Sequence, residues 1–450
     1  MVFSRQAVLA LGLLSLAACA EQELVLNGER FDIRDPLPGS QAQASAQARA
    51  SAAPEAPASR AVTPLTLPQQ VNYQSWTHRN GSVARFLQHP ALGTELTQVW
   101  SADIGDGNSR RARITADPVV LENRIFTLDS ASRVTATSVS GDRIWSRELV
   151  PGNEKSKEAS GGGLAVSEQM LIATTGFGEL YALDTASGAT LWRQKLDAPI
   201  TAAPTIADGV VYVVSRDNRA LALDQKLGRI LWEVQGPPGN AVFNGGAGAI
   251  VSDRLVIFPF GSGELTATLK KSGIRVWSAS IVGQRRGEAY ASIPDISGDP
   301  VLVDGRIYAA NQGGRAAALD ARNGERIWTV NEGAYSPAWP AGDSVFLISD
   351  QAELMRLDAG TGEKIWSELL PYFTRSKLKR RQTVYAHYGP ILAGGRLLVA
   401  SDDGLIRSYD PATGALVGTT ELRGGAASNP IVVNGTLYVV TEKGQLAAFR

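Results

Sequence analysis

Cysteine is nearly absent: the 450 residues contain one, Cys19. An internal disulfide is therefore excluded. Histidine is almost as scarce, with only His78, His89 and His387. No pair of them has zinc-ligand spacing and no second ligand type joins them, so no metal site is expected. Charge of one sign is not in excess, since 44 Lys and Arg balance 44 Asp and Glu. A nucleic-acid binder should leave a basic footprint, so nucleic acid is not an expected partner. No apolar run is long enough to cross a bilayer core of ~30 Å as a helix. Sustained helical periodicity is missing too, and no segment resembles a nucleophile elbow. Gly161-Gly162-Gly163 and Gly176-Phe177-Gly178 suggest phosphate loops, but Tyr181 stands where the second would need its third glycine. No helix pattern follows either one to supply a dipole. Asp402-Asp403 precedes Gly404 and reads as a solvated turn. These absences leave no catalytic residue, metal or cofactor to assign.

The N-terminus has an export pattern. Arg5 provides a positive region, and residues 7–18 form an apolar stretch of about a dozen residues, short for a membrane span. It closes as Leu16-Ala17-Ala18-Cys19, which resembles a bacterial lipobox, so residues 1–18 are expected to be a lipoprotein signal and Cys19 its lipidation site. A simple signal peptide cut near Ala18, with Cys19 incidental, is the alternative. Acyl chains would anchor the protein to a membrane, each buried CH₂ contributing ~0.8 kcal/mol. Ala20 follows where inner-membrane lipoproteins often carry Asp, which points to the periplasmic face of the outer membrane. Residues 19–70 read as a tether, because 42–57 are almost wholly Ala, Ser, Gln and Pro with scattered charge. Such a stretch cannot bury enough apolar surface to offset its ordering entropy.

The strongest signal is a repeat over 71–450. A pattern L-D-x-x-x-G-x-x-x-W returns as Leu183-Asp184…Gly188…Trp192, Leu223-Asp224…Gly228…Trp232, Leu319-Asp320…Gly324…Trp328 and Leu357-Asp358…Gly362…Trp366. Weaker copies keep Gly141 with Trp145, Gly273 with Trp277, and Asp410 with Gly414, where Gly418 replaces the expected Trp. Trp100 occupies the Trp position alone, so seven of nine Trp residues fall at one place in a repeat of 38–51 residues. Each unit parses into four short strands with hairpin turns such as Asp208-Gly209 and Asp217-Asn218. The second strand, as in Val210-Val211-Tyr212-Val213-Val214, is apolar enough to be buried on both faces. Four antiparallel strands per unit, repeated, is a propeller blade. The last unit stops at Arg450 after three strands, and residues 96–104 form a fourth strand lacking its first three. Joined, they complete one blade and leave no open ring edge. The expected fold is all-β, an eight-bladed propeller whose last blade is closed by the N-terminal strand. Trp100, Trp145, Trp192, Trp232, Trp277, Trp328 and Trp366 are expected to dock between blades.

These units resemble the PQQ-type propeller repeat. With the lipobox and eight blades, the chain is most similar to the BamB-like outer-membrane lipoproteins. That resemblance implies a non-catalytic scaffold of the β-barrel assembly machinery. Its partners would be a BamA-like protein and nascent outer-membrane proteins. A PQQ-dependent dehydrogenase and a scaffold of another envelope complex are the alternatives. The dehydrogenases typically stack their cofactor on a disulfide between adjacent cysteines, which this chain cannot form. Three long connections are docking candidates: 236–246, 282–298 and the basic 371–387. The first two flank the Trp277 unit and correspond to the BamB loops that meet BamA. Within them Asn240, Val242, Phe243, Arg285, Arg286, Tyr290 and Asp295 are the candidate contacts. The basic connection could meet acidic lipid or an acidic partner.

Overall fold

Alternating apolar residues and glycine-rich turns fold into eight antiparallel sheets of four strands each in the computed structural model. Residues 64–239, 245–283, 285, 287–375 and 377–450 are described. Blades 1 to 7 are continuous in sequence, over 119–148, 162–195, 205–235, 250–280, 301–330, 339–369 and 387–421. Blade 8 takes Ile431–Val433, Thr436–Val440 and Gln445–Phe449 from the C-terminal end and Gln98–Asp103 from the N-terminal side. Trp100 pairs with Ala448 and Ala102 with Leu446 across that seam. Backbone bonds from Thr97 N to Arg450 O (2.6 Å) and back (3.0 Å) extend it.

Strand alternation explains how the blades stack. Successive side chains point to opposite faces of a sheet. In the second strand of blade 3, Val211 and Val213 join the core shared with blade 2, whereas Tyr212 and Val214 join the core shared with blade 4. Outer strands instead follow the exposed pattern of Ile230–Gln235, where only Trp232 and Val234 are half-buried. Among the described residues, helical structure is limited to two 3₁₀ turns, Ala289–Ser292 and Leu378–Arg380.

The repeated motif is one device with three parts. The Asp carboxylate shapes the turn between strands three and four: Asp224 Oδ1 accepts the N–H groups of Lys226 (2.9 Å) and Leu227 (2.8 Å), and Asp358 Oδ1 those of Gly360 (2.9 Å) and Thr361 (2.8 Å). The Gly takes a left-handed conformation, φ +70° at Gly228, and the indole of the preceding blade lies where its Cβ would be. The Trp Nε1 then donates to a carbonyl of that same turn. Trp100 reaches Val139, Trp145 Thr185, Trp192 Gln225, Trp232 Lys270, Trp277 Ala321, Trp328 Ala359 and Trp366 Pro411, all at 2.8–3.2 Å. The substitution at Gly418 now has a physical reason. The fourth strand of blade 8 comes from Gln98–Asp103, so no hairpin joins its third and fourth strands, and an indole at 418 would have no turn to dock on.

A further element emerges between tether and ring. Residues 64–95 fill one end of the central channel, at the end bearing the turns between first and second strands. Trp76 exchanges backbone bonds with Val120 of blade 1 (2.8 and 2.7 Å). The carbonyls of Thr77, Val83 and Ala84 accept from Val166, Val251 and Leu302 of blades 2, 4 and 5 (2.9, 3.1 and 3.0 Å). His78 Nε2 accepts from Ile206 N of blade 3 (3.0 Å). Phe86 packs on Trp339 of blade 6, and the carbonyls of Pro90 and Tyr73 accept from Gly394 and Asn434 of blades 7 and 8 (3.1 and 2.9 Å). One segment thus touches the inner end of all eight blades. Residues 64–70, expected in the tether, take part: Pro64 O accepts from Arg356 Nη2 (3.1 Å), and Leu65 and Leu67 pack on the core.

Candidate functional site

The opposite end of the channel carries the connections between blades. There the stretches flanking blade 4 run side by side, with Ala247 N donating to Ile296 O (3.3 Å) and Gly248 N to Asp299 Oδ1 (2.6 Å). Asn240, Val242, Phe243 and Arg286 lie outside the described residues, as does Cys19.

Arg285 and Tyr290 are brought together on one carboxylate. Asp350, in the second turn of blade 6, has a fully buried side chain. It accepts Arg285 Nε at 2.7 Å, Arg285 Nη2 at 2.9 Å, the Tyr290 hydroxyl at 2.8 Å and Gly333 N at 2.9 Å. Glu332 also approaches Arg285 at 3.4 Å. Burial works against the guanidinium charge, but the bidentate bond to Asp350 outweighs it and holds its pKa above the usual value. These two side chains therefore pin the connection 281–300 across blades 5 and 6. Asp295 is buried at 4% exposure, and its carbonyl accepts from Asn311 Nδ2 at 2.6 Å. Among the described residues of this connection, Gly287, Glu288, Ala289 and Ser292 are exposed.

The basic connection folds back on itself. Phe373 and Val384 bridge, and the Arg381 guanidinium sits 4.9 Å from the Phe373 ring centroid. At its base His387 joins Ser401 Oγ and Pro371 O, each at 2.7 Å, and burial lowers its pKa. The Asp402-Asp403 pair departs from the solvated turn expected of it. Asp403 is held by Arg407 at 2.6 Å with about a tenth of each side chain exposed. Asp402 is half-buried with Oδ1 lacking a partner, and burial pushes its pKa up to about 6. The reason is packing on Ala386 and Gly425, whose neighbourhood no local pattern encodes.

Sequence reasoning missed the charged centre of the channel. Arg79 meets Asp117 at 3.3 Å and Asp299 at 3.7 Å, and Arg85, fully buried, meets Asp299 at 3.5 Å and Thr205 Oγ1 at 2.7 Å. His78 is neutral there: burial, then the Arg85 charge, lower its pKa to about 3. Its Nε2 accepts a backbone N–H, so Nδ1 carries the proton and donates to Thr77 Oγ1 (2.8 Å). The one available signal was that Trp76, His78, Arg79, Arg85 and His89 crowd a stretch belonging to neither repeat nor low-complexity tether. Above this centre opens a cavity of about 580 Å³, with Arg79 and Asp117 at its base and Tyr290, Tyr335, Tyr372 and Tyr388 among its walls.

Fold and site together define an eight-bladed propeller of the tryptophan-docking, PQQ-type repeat, plugged at one end of its channel and open among long loops at the other. Within that class the chain belongs to the family of outer membrane protein assembly factor BamB, whose model matches residues 130–368 and 375–450. It is similar to BamB of Shewanella oneidensis, with 26% identity over 77% of this chain and 87% of that protein. BamB of Salmonella typhimurium is 25% identical over 78% of this chain and 88% of that protein. Among solved structures, BamB from Moraxella catarrhalis superposes with a TM-score of 0.65 at 21% identity, covering 79% of this chain and all of that one. Quinohemoprotein alcohol dehydrogenase from Comamonas testosteroni gives 0.63 at 16% identity, covering 83% and 80%, a likeness of fold. Among the described residues no helix is long and apolar enough to cross a membrane.

Proposed function

We propose that this chain is a scaffold in outer-membrane protein assembly, lipid-anchored through Cys19 on the periplasmic face, and that it works by binding rather than catalysis. It docks on a BamA-like barrel-assembly protein through the face where the two connections flanking blade 4 meet. The observation that carries this reading is that Asp350 holds both Arg285 and Tyr290, which ties the exposed residues Gly287, Glu288, Ala289 and Ser292 to the ring in a connection that also bonds Ala247 and Gly248. A preset loop binds with less ordering cost than a loose one. In this arrangement Arg285 and Tyr290 position the loop, Asp295 supports it from beneath, and Asn240, Val242, Phe243 and Arg286 complete the contact. A catalytic reading has less support. Both axial guanidinium groups are already paired with carboxylates. Among the described residues no three His, Cys, Asp or Glu side chains converge as metal ligands.

Crosslinking in envelopes followed by purification tests this. Deleting all of 282–298 would also remove buried Ile296, so the variant should carry Gly-Ser replacements over 287–292 alone. Recovery of a BamA-like protein with the native chain and its loss with the variant are expected. Undiminished recovery by a folded variant would overturn the assignment of the face.

A further inference from the structure

Because residues 64–95 close one end of the channel, the other end is a blind cup rather than a pore. Its volume of about 580 Å³ lies within the ~300–1,000 Å³ typical of ligand pockets. Five tyrosines, Tyr290, Tyr335, Tyr372, Tyr385 and Tyr388, contribute to its walls, Tyr335 being 44% exposed. The Tyr290 hydroxyl is committed to Asp350.

The charge around this aromatic lining is negative. Glu288, Asp350 and Asp117 line the cup, backed by Glu332 and Asp299, against the guanidinium groups of Arg79, Arg85 and Arg285 and the Lys364 ammonium, which leaves Glu288 as the carboxylate in excess. On the blade 7 and 8 side stand Asp402 and Glu442, with Arg113 at 3.5 Å from Glu442. Burial lowers the pKa of His387, and the basic residues 375–381 do not line the cavity. The phenols register this field. Burial and then Asp350 push Tyr335 up to about 12, and burial with Glu288 and Asp350 raises Tyr372. An aromatic wall attracts a cation through the negative face of each ring, and carboxylates nearby add to the attraction.

We infer that the cup receives an arginine side chain carried on a protruding segment of the docked partner. Guanidinium stacks on tyrosine rings and forks onto carboxylates, which suits this combination better than a compact ammonium. Glu288 and Tyr290 belong to the connection 281–300, so the cup is continuous with the proposed docking face. The inference rests on that docking reading for the source of the cation.

The test uses the whole chain and a short Gly-Ser peptide with one central arginine, against the same peptide with citrulline, which keeps the shape and loses the charge. Saturable binding of the arginine peptide is expected, with the citrulline peptide about tenfold weaker. Tyr335→Ala and Glu288→Gln should each weaken binding several-fold, while Tyr335→Phe, which keeps the ring, should retain it. The exposure of Tyr335 makes its loss compatible with folding, which tryptophan fluorescence would verify. Equal binding of both peptides, or no saturable binding at millimolar arginine peptide, would overturn the inference. Partner recovery without arginine binding would sink the cup and leave the docking face standing. Arginine binding without partner recovery would do the reverse.

Discussion

Replacing Gly228 by alanine should destabilise the ring far more than the same change at Gly209. The two glycines have nearly the same backbone, φ +70° and φ +76°. An alanine at either site pays the left-handed penalty of about 1–2 kcal/mol. They differ in what the new methyl group meets. At 209 nothing lies within 4 Å, whereas at 228 the Trp192 atoms Cδ2 and Cε3 lie 2.6 Å away. The indole cannot retreat without breaking its 2.8 Å bond to Gln225 O, so overpacking adds about 1–3 kcal/mol. Gly228→Ala should therefore lose about 2–5 kcal/mol and Gly209→Ala about 1–2 kcal/mol. Urea unfolding with midpoint and slope measured for each variant is the assay, the slope showing whether the transition stays cooperative. A second arm uses Trp192→Leu. In that background the clash is relieved, and Gly228→Ala should cost no more than Gly209→Ala. Equal losses at the two glycines in the native background, or no relief by Trp192→Leu, would refute the idea that the motif pairs a ring with a missing methyl.

His78 gives a pH signature. Unfolded, it takes a proton below about 6.5; folded, it refuses one until about 3, a gap worth about 4–5 kcal/mol. Its contribution is complete above pH 6.5 and is lost as pH falls towards 3. Between pH 7.5 and 5 the stability of the native chain relative to His78→Gln should fall by about 2 kcal/mol; parallel urea midpoints would contradict this. Asp350→Ala leaves Arg285, the Tyr290 hydroxyl and Gly333 N–H without their acceptor and should cost about 3–5 kcal/mol, with new proteolytic cleavage within 285–292. A change confined to ±0.5 kcal/mol would show that the cluster is not structural. Gly418→Trp should leave the unfolding free energy within about 0.5 kcal/mol and add a solvent-exposed indole emission. A blue-shifted emission with added stability would mean that a docking turn exists there after all.

The ring was legible because its information is local and repeated. Asp, Gly and Trp recur at fixed offsets, each unit closes its own hairpins, and the unpaired fourth strand around Trp100 announces the closure. The plug was illegible for the opposite reason. Its segment makes roughly one bond per blade, mostly through backbone atoms, with partners ranging from Val120 to Asn434, so no spacing within 64–95 predicts them. The docking loops fall between these cases. Their excess length was visible, and so were Arg285 and Tyr290, yet their common partner Asp350 lies 65 and 60 residues away in an ordinary hairpin turn. Asp295 looked like an accessible acid because burial of a loop residue depends on which neighbouring blade covers it.

Eight junctions are closed by seven indoles, and the core shows how the remaining one is held. Five of the six hydrophobic clusters each join two neighbouring blades, in order from blade 1 to blade 6. The sixth runs unbroken through blades 6, 7 and 8 and reaches Val120 and Ile125 of blade 1. It also takes in Trp76 and Leu92, with Phe86 and Leu87 packed against it, all from the plug. Apolar contact from the plug is thus concentrated where the ring lacks a key and where its chain ends meet. The strand Gln98–Asp103 supplies backbone bonds to that same seam. Plug and strand are consecutive in sequence, so they act as one closing piece: the strand zips the edge of blade 8, and the segment before it seals the apolar interior behind Gly418.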